Sequence, residues 1–385
     1  MPPNGDKYEV IVLGTGITGL STVYHLKQVG VQSIAIAGPD TSFAPTSSLT
    51  PGIIFGSPLD NFTRTSHRHG LSVARDLWNY SKAAYESLLL YCSQKGIPHI
   101  TGPRLRLITS QNEANEAAQA VKQLRDSGIE AALQNGPEHC SSAVLTAQVD
   151  DTFSGVTDTQ ALLKKLSSSI AKVPRLPVIK EIATHTDGFI EALCHSGRKF
   201  RSEIIVLASH VEIPRLLPGL APAIVATSDQ WCKVQFTNAI PNDLRNLVFT
   251  LTHGHIWGAF HGTHAVRIGG AKYLRPLGGM EATEASVITK INIHLQEQLL
   301  ANFVGLSDPQ ITKTEAALDI RPCDELPIIG PMFGDGRILV ACGYMGTGLS
   351  LGFFAGKCLA DLIANGHAQK LPRCLWPERF RSMES

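Results

Sequence analysis

The sequence predicts an α/β protein of two domains, one on a mainly parallel sheet and the other an α+β domain on an antiparallel sheet. Three observations carry that expectation. The β-branched run Tyr8-Glu9-Val10-Ile11-Val12-Leu13 opens directly into a glycine turn, Gly14-Thr15-Gly16-Ile17-Thr18-Gly19. A second succession of strand, glycine turn and helix begins at Arg337, close to the other end of the sequence. The 385 residues also exceed what one simple core encloses, so the chain is expected to divide.

Bulk composition narrows the function classes. Hydrophobic residues make up 43% and charged residues 17%, the balance of a globular protein. A formal net charge of +1 supplies no field for capturing nucleic acid, so a nucleic-acid partner is not expected. The eight cysteines are scattered, with no C-x-x-C and no zinc-like spacing. With no secretory signal pattern, this predicts free thiols and a cytoplasmic location. Every apolar stretch is broken by Gly, Ser or charge well short of a membrane span, so no transmembrane segment is expected.

Tyr8–Leu13 has the pattern of a buried parallel strand. Leu20 to Lys27 follows as a helix ending near Gly30, and Ser33-Ile34-Ala35-Ile36-Ala37 as a second strand. This βαβ unit carries G-x-G-x-x-G at its first turn. The first glycine permits the tight turn, the second lets backbone approach a pyrophosphate, and the third lets helix pack on strand. The helix N-terminus adds partial positive charge. Gly14, Gly16, Ile17, Thr18 and Gly19 are therefore expected to hold a dinucleotide; the alternative is a turn used only for packing. The end of the second strand departs from the pattern, reading Ala37-Gly38-Pro39-Asp40 where a carboxylate normally binds the ribose. Either Asp40 reaches the ribose from the loop, or water and backbone replace the carboxylate. No arginine stands there to favour a 2′-phosphate.

The C-terminal block is more particular. Arg321-Pro322-Cys323-Asp324-Glu325-Leu326-Pro327-Ile328-Ile329-Gly330-Pro331 precedes a strand from Arg337 to Gly343. The turn Tyr344-Met345-Gly346-Thr347-Gly348-Leu349 and a helix from Phe353 to Ile363 follow. Amides at such a turn face something electron-rich, which in a flavoprotein is the N1–C2=O edge of the isoalloxazine. Gly343, Met345, Gly346, Thr347, Gly348 and Leu349 are the residues expected there.

With both blocks present, the chain resembles the D-amino acid oxidase superfamily of FAD enzymes over nearly its whole length. That superfamily includes glycine oxidase and sarcosine oxidase. The resemblance implies a Rossmann-like FAD-binding domain from 1–52, 146–213 and 313–385, with a substrate domain from 53–145 and 214–312. It implies that the segment Thr46 to Gly52, with Ser47 and Ser48, lies beside the pyrophosphate and flavin, and that Val178 meets the adenine. Glu203 to Ser209 resembles the strand closing the nucleotide domain, with Ser209-His210 where Ala-Gly is usual. Cys323 falls in a shorter sequence than the cysteine that attaches FAD in some members, so the FAD is expected to be non-covalent.

The implied activity is oxidation of the C–N bond of a small amine or amino acid. A hydride passes to flavin N5, the imine hydrolyses, and oxygen or another acceptor takes the electrons. Arg321 aligns with the arginine that clamps substrate carboxylate in glycine oxidase-like members; the alternative is an ion pair with Asp324 or Glu325. Arg267 lies on a strand similar to the one carrying a lysine over the flavin in sarcosine oxidase-like members; the alternative is a surface-strand arginine. His253, His255, His261 and His264 cluster among glycines near Trp257. Their irregular spacing, without carboxylate or cysteine, does not suggest a metal. His255 is the candidate to accept an amine proton, and Trp257 and Phe260 are either an apolar wall or core. Arg64, His67, Arg68 and His69 are open to two readings, phosphate contact or a solvated helix start.

Two other functions remain open at this point. Leu207 to Ile213, Gly269 to Tyr273 and Arg321 to Pro327 are similar to the FAD domain of the bifunctional tRNA wobble-uridine modification enzyme. That domain removes a carboxymethyl group from a modified base, and its methyltransferase half has no counterpart here. The other is a non-catalytic nucleotide-binding protein that has kept the fold.

Overall fold

The computed structural model describes residues 7–39, 45–150, 152–280 and 282–383; Asp40 lies outside the described residues. The chain opens with β1 (Lys7–Leu13), α1 (Ile17–Gln28), β2 (Ile34–Ala37), α2 (Pro45–Ser48) and β3 (Ile53–Phe55). Next come α3 (Phe62–His69), α4 (Leu71–Lys95), β4 (His99–Ile108), α5 (Gln111–Asp126), β5 (Ala131–Gln134), β6 (Thr146–Asp150) and β7 (Phe153–Thr157). The middle holds α6 (Thr159–Ser169), β8 (Arg175–Leu176), β9 (Ile179–Thr184), β10 (Ile190–Cys194), β11 (Lys199–Leu207), α7 (Ile213–Leu216) and β12 (Ile224–Gln235). The remainder is β13 (Val248–Leu251), β14 (Ile256–His261), β15 (Ala265–Gly270), α8 (Thr289–Asn302), β16 (Gln310–Pro322), β17 (Ile328–Pro331), β18 (Ile338–Cys342) and α9 (Gly348–Asn365).

These elements form two compact units, one of Met1–Ser48, Thr159–Ala226 and Asp319–Ser385, the other of Leu49–Asp158 and Thr227–Leu318. The division differs from the sequence expectation at four places, and residues 49–52 and 313–318, expected with the cofactor domain, fall in the second unit. Residues 146–158, expected with the cofactor domain, belong to the second unit because β6 pairs with β4, and β7 with β3 and β4. Residues 214–226, expected in the substrate domain, belong to the first because Leu216, Leu220, Ala223 and Ile224 are buried in its core.

The first unit is a sheet in the order β17-β18-β11-β1-β2-β8, extended by β10 and β9. The β1–β2, β1–β11, β11–β18 and β2–β8 pairings are parallel. Val10 to Leu13 pair with Ile34 to Ala37 on one side and Ile204 to Leu207 on the other, so this run is buried on both faces. The helices α1 and α9 pack closely. A Cβ on Gly356 would come within 2.6 Å of Thr22 N, and Ser21 Oγ donates to Phe353 O at 2.6 Å. His25 lies in the same contact, edge-on to Phe353 with ring centroids 5.3 Å apart. Both helices begin earlier than their apolar patterns suggest, α1 at Ile17 and α9 at Gly348, because the glycine turns lead straight into them.

The second unit is built on a sheet in the order β16-β12-β15-β14-β13-β4-β6-β5, whose pairings from β12 to β5 are antiparallel apart from the parallel β13–β4 pairing. Its strands alternate as a two-faced sheet requires. Phe249, Phe260 and Ile268 point to one side and pack with Phe303 and with Ile291, Leu295 and Leu299 of α8. Trp257 and Ala259 point to the other, with Ile53, Phe55 and Val156. Gly70, at φ +86°, separates α3 from α4, which the sequence joined as one opening.

Two buried arginines on β4 organise this unit. Arg104 and Arg106 lie two residues apart, hence on one face of the strand. Arg104 donates to Ser57 O and Pro58 O, each at 2.9 Å, and to Ser57 Oγ. Arg106 donates to Leu59 O at 2.9 Å and Asp60 O at 3.0 Å. Burial, and then the charge of Arg106, push the Arg104 guanidinium down to about 9. The carbonyls of 57–60 thus supply the acceptors that water would otherwise provide.

Burial holds the His25 imidazole at about 4, well below the ordinary 6.5. The folded protein keeps this ring neutral while the unfolded chain takes up a proton below 6.5. Its stabilising effect is therefore complete above pH 6.5 and is lost as pH falls towards 4. Urea unfolding at pH 7 and pH 5 should show His25→Gln losing about 2 kcal/mol less stability than the parent over that interval. Equal losses in both proteins would refute this.

Candidate functional site

The first glycine turn is closed by backbone geometry. Gly14 has φ +125°, and a Cβ there would lie 2.2 Å from Ala208 O, so the first position of the fingerprint excludes any side chain. Gly16 is extended and α1 begins immediately after it, with no side-chain cap. Ile17 N donates to Ser47 Oγ at 3.1 Å, and Gln160 Nε2 donates to Ser48 O at 3.1 Å. Two hydroxyls in this region, Thr15 Oγ1 and Ser209 Oγ, are buried without a hydrogen-bond partner among the described residues. Gly19 lies buried in the first turn of α1. Val178 stands between β8 and β9 and is 36% exposed.

The second glycine turn lies in the same unit. Gly343 has φ +71°, and a Cβ on it would meet Pro322 Cγ at 2.4 Å. Met345 and Gly346 follow at φ +53° and +85°, and Thr347 N and Oγ1 both donate to Tyr344 O, at 3.0 and 2.6 Å. Gly348 and the buried Leu349 open α9. Tyr344 joins the two turns. Its hydroxyl is 2.9 Å from Thr18 Oγ1, both residues are buried, and burial raises the Tyr344 pKa. Nothing in the spacing of the sequence pairs residue 18 with residue 344; an aromatic residue inside a glycine turn was the only signal.

Arg321 is carried to this turn by its neighbour. It precedes Pro322, the residue whose ring packs on Gly343, and its side chain is 39% exposed. Glu325 lies 3.8 Å from its guanidinium, while Asp324 is taken by Arg379 at 2.5 Å. Of the two acidic residues expected there, Glu325 approaches Arg321 at a separation long for a strong pair. Cys323 is an exposed free thiol whose pKa burial raises, and all eight cysteines are free.

Arg267, Trp257 and His255 belong to the second unit. Arg267 lies opposite Ala259 and Lys233, and Trp257 opposite Gly269, so Arg267 and Trp257 share a face of the sheet. The Arg267 guanidinium donates to Pro51 O, and burial lowers its pKa against the pull of Asp158. Trp231 Nε1 donates to Leu49 O at 2.7 Å, a second tie to the same segment that the sequence did not reveal. Burial, and after it the charges of Arg267 and Lys233, lower the His261 imidazole to about 4. His255 is exposed, edge-on to Tyr273 at 6.0 Å, and Phe260 is core. Among the described residues no group of His, Cys, Asp and Glu could hold a metal.

The basic stretch at 64–69 is the end of α3 rather than the start of α4. Arg64, His67 and Arg68 line a cavity of about 670 Å³, with Gln119 and Gln123. Arg64 pairs with Glu116 at 2.8 Å and Arg68 with Asp60 at 3.3 Å, so the positive charge there is already compensated.

With this geometry in view, residues 9–362 match the model of the DAO family, described as FAD dependent oxidoreductase. The chain belongs to that family, and its cofactor is FAD. Among solved structures it is similar to L-proline dehydrogenase from P. horikoshii, at a TM-score of 0.80 and 16% identity, covering 98% of each chain. Glycine oxidase from Geobacillus kaustophilus follows at 0.77 and 14%, covering 96% of this chain and 98% of that one. Iminodiacetate oxidase from Chelativorans sp. BNC1 aligns at 0.69 and 15%, covering 96% and 99%. Comparison with curated protein sequences finds no match. No helix among the described residues is long and apolar enough to cross a membrane.

The residues of the first unit fit this cofactor. Two glycine turns opening two helices lie one hydrogen bond apart, and two buried hydroxyls beside the first turn await partners. Replacing Tyr344 by Phe leaves the Thr18 hydroxyl buried without its partner. Chemical denaturation should show a loss of about 1–2 kcal/mol. An unchanged stability would mean that water replaces the phenol.

Proposed function

We propose that this protein oxidises the C–N bond of a small amine or amino acid that binds through its carboxylate to Arg321. The observation that carries the reading is the attachment of Arg321 to Pro322, which packs on the glycine turn at Gly343. A guanidinium offers five donors in a planar fork, suited to two-point binding of a carboxylate. The 3.8 Å contact to Glu325 is easily exchanged for a substrate carboxylate, since a half-exposed pair of that length contributes little.

When bound, FAD supplies the two-electron acceptor for a hydride. The chain's part is to bind, orient and exclude water. We assign Gly14, Gly16, Ile17, Thr18 and Gly19, with Ser47 and Ser48, to the pyrophosphate side. Gly343 and Met345 to Leu349 are assigned to the flavin edge, and Val178 to the adenine. Trp257 and Arg267 are assigned to the substrate wall, where the ties to Leu49 and Pro51 give the sheet face a fixed shape. His255, which is exposed, is the candidate proton acceptor. Oxygen or another acceptor then takes the electrons.

The test is anaerobic addition of amino acids and N-substituted glycines to the purified yellow protein. Bleaching by one compound supports the reading, and readmitting air separates an oxidase from a dehydrogenase. Absence of bleaching across the whole panel would overturn the substrate class. Arg321→Lys should raise KM for the bleaching substrate by about tenfold or more while the visible spectrum of bound FAD is retained. An unchanged KM would remove Arg321 from the site.

A further inference from the structure

The chain lacks the acidic residue that dinucleotide-binding folds place at the end of the second strand, where a carboxylate accepts hydrogen bonds from the ribose. Here β2 ends at Ala37, and the next residue, Gly38, has no side chain at all. The backbone around it is already committed. Gly38 N donates to Leu176 O at 3.2 Å, and Ala37 O accepts from Gly14 N at 2.8 Å. Gly38 offers no side chain to replace a carboxylate, and its N–H is already used.

The space that residue 38 leaves is filled from the glycine turn. A Cβ built on Gly38 would lie 2.6 Å from Thr15 Cγ2 and 3.0 Å from Thr15 Oγ1. Thr15 therefore occupies the point from which the missing side chain would start. It is 2% exposed, and its hydroxyl has no hydrogen-bond partner among the described residues. A buried hydroxyl without a partner is destabilising, and native structures rarely keep one without a use. A threonine hydroxyl both donates and accepts, so one ribose hydroxyl satisfies it in either sense.

We propose that Thr15 takes the place of the missing carboxylate and binds the adenosine ribose of FAD through Oγ1. The fingerprint then does two tasks in this chain. Its glycines admit the pyrophosphate, and its second residue reads the ribose. Gly38 is the necessary complement, because any larger residue there would displace the threonine.

The test is a binding cycle on protein stripped of flavin. Dissociation constants are measured by flavin fluorescence for FAD and for analogues lacking the 2′- or 3′-hydroxyl of the adenosine ribose. The parent protein should bind one analogue about tenfold more weakly than FAD. Thr15→Val should bind FAD about tenfold more weakly and should not weaken further with that analogue. Thr15→Ser, which keeps the hydroxyl, should stay within about threefold of the parent. Losses that simply add, or a Thr15→Val protein that binds FAD like the parent, would overturn the proposal. Asp40→Asn tests the competing acceptor, since a loss there with none in Thr15→Val would assign the ribose to Asp40. As a second variant against misfolding, Thr15→Gly with Gly38→Glu clears the space and restores a carboxylate. It should recover the affinity that Thr15→Gly alone loses, and failure to recover it in a folded protein counts against the proposal. A parent protein that binds no FAD would be a failure of the cofactor assignment itself, separate from the role of Thr15.

Discussion

The closeness of α1 and α9 governs what the first unit can hold. Both helices begin at glycine turns, and the turns come together only because the helices meet without bulky side chains between them. A Cβ on Gly352 would lie 2.7 Å from Thr18 Oγ1, so the residue that bonds Tyr344 touches backbone on its other side. Ser21 completes the contact by donating to Phe353 O. One helix N-terminus concentrates positive potential, and two from separate parts of the chain extend it along a dinucleotide. The buried Tyr344–Thr18 bond sets their separation, since neither hydroxyl has water to turn to.

The second unit solves a different problem. Its sheet buries an aromatic face under α8, and its opposite face carries charge that must be satisfied with little water. Arg104 and Arg106 meet this by donating to consecutive carbonyls from Ser57 to Asp60, which also fixes the path of that segment. Arg267 and Trp231 treat Pro51 and Leu49 in the same way. The segment 49–60 is thus held by side chains rather than by strand pairing over much of its length. A candidate substrate wall made this way has a definite shape even where its backbone is irregular.

The family assignment joins these parts. An FAD-dependent oxidoreductase of this family needs a cradle for the dinucleotide, and the first unit holds the residues for one. At two positions a side chain missing from the chain is matched by another arriving from elsewhere. Gly38 without a side chain faces Thr15, and Gly343 without one faces Pro322. Such exchanges keep the packing while moving the chemistry to a different residue, so the function of a position is not readable from that position alone.

The family the sequence resembles implied the cofactor; by itself the sequence determined the α/β class, the two glycine turns and the elements around them. These follow from local rules, because a strand's periodicity and a turn's need for glycine are properties of neighbouring residues. The tertiary structure alone decided that 146–158 joins the second unit, since strand pairing is a relation between distant segments. It alone brought Tyr344 to Thr18 and placed two arginines in the interior of a sheet. Hydrogen bonds between residues hundreds of positions apart leave no periodic trace in the chain. They arise from burial, which obliges each polar group to find whatever partner the fold has brought within reach.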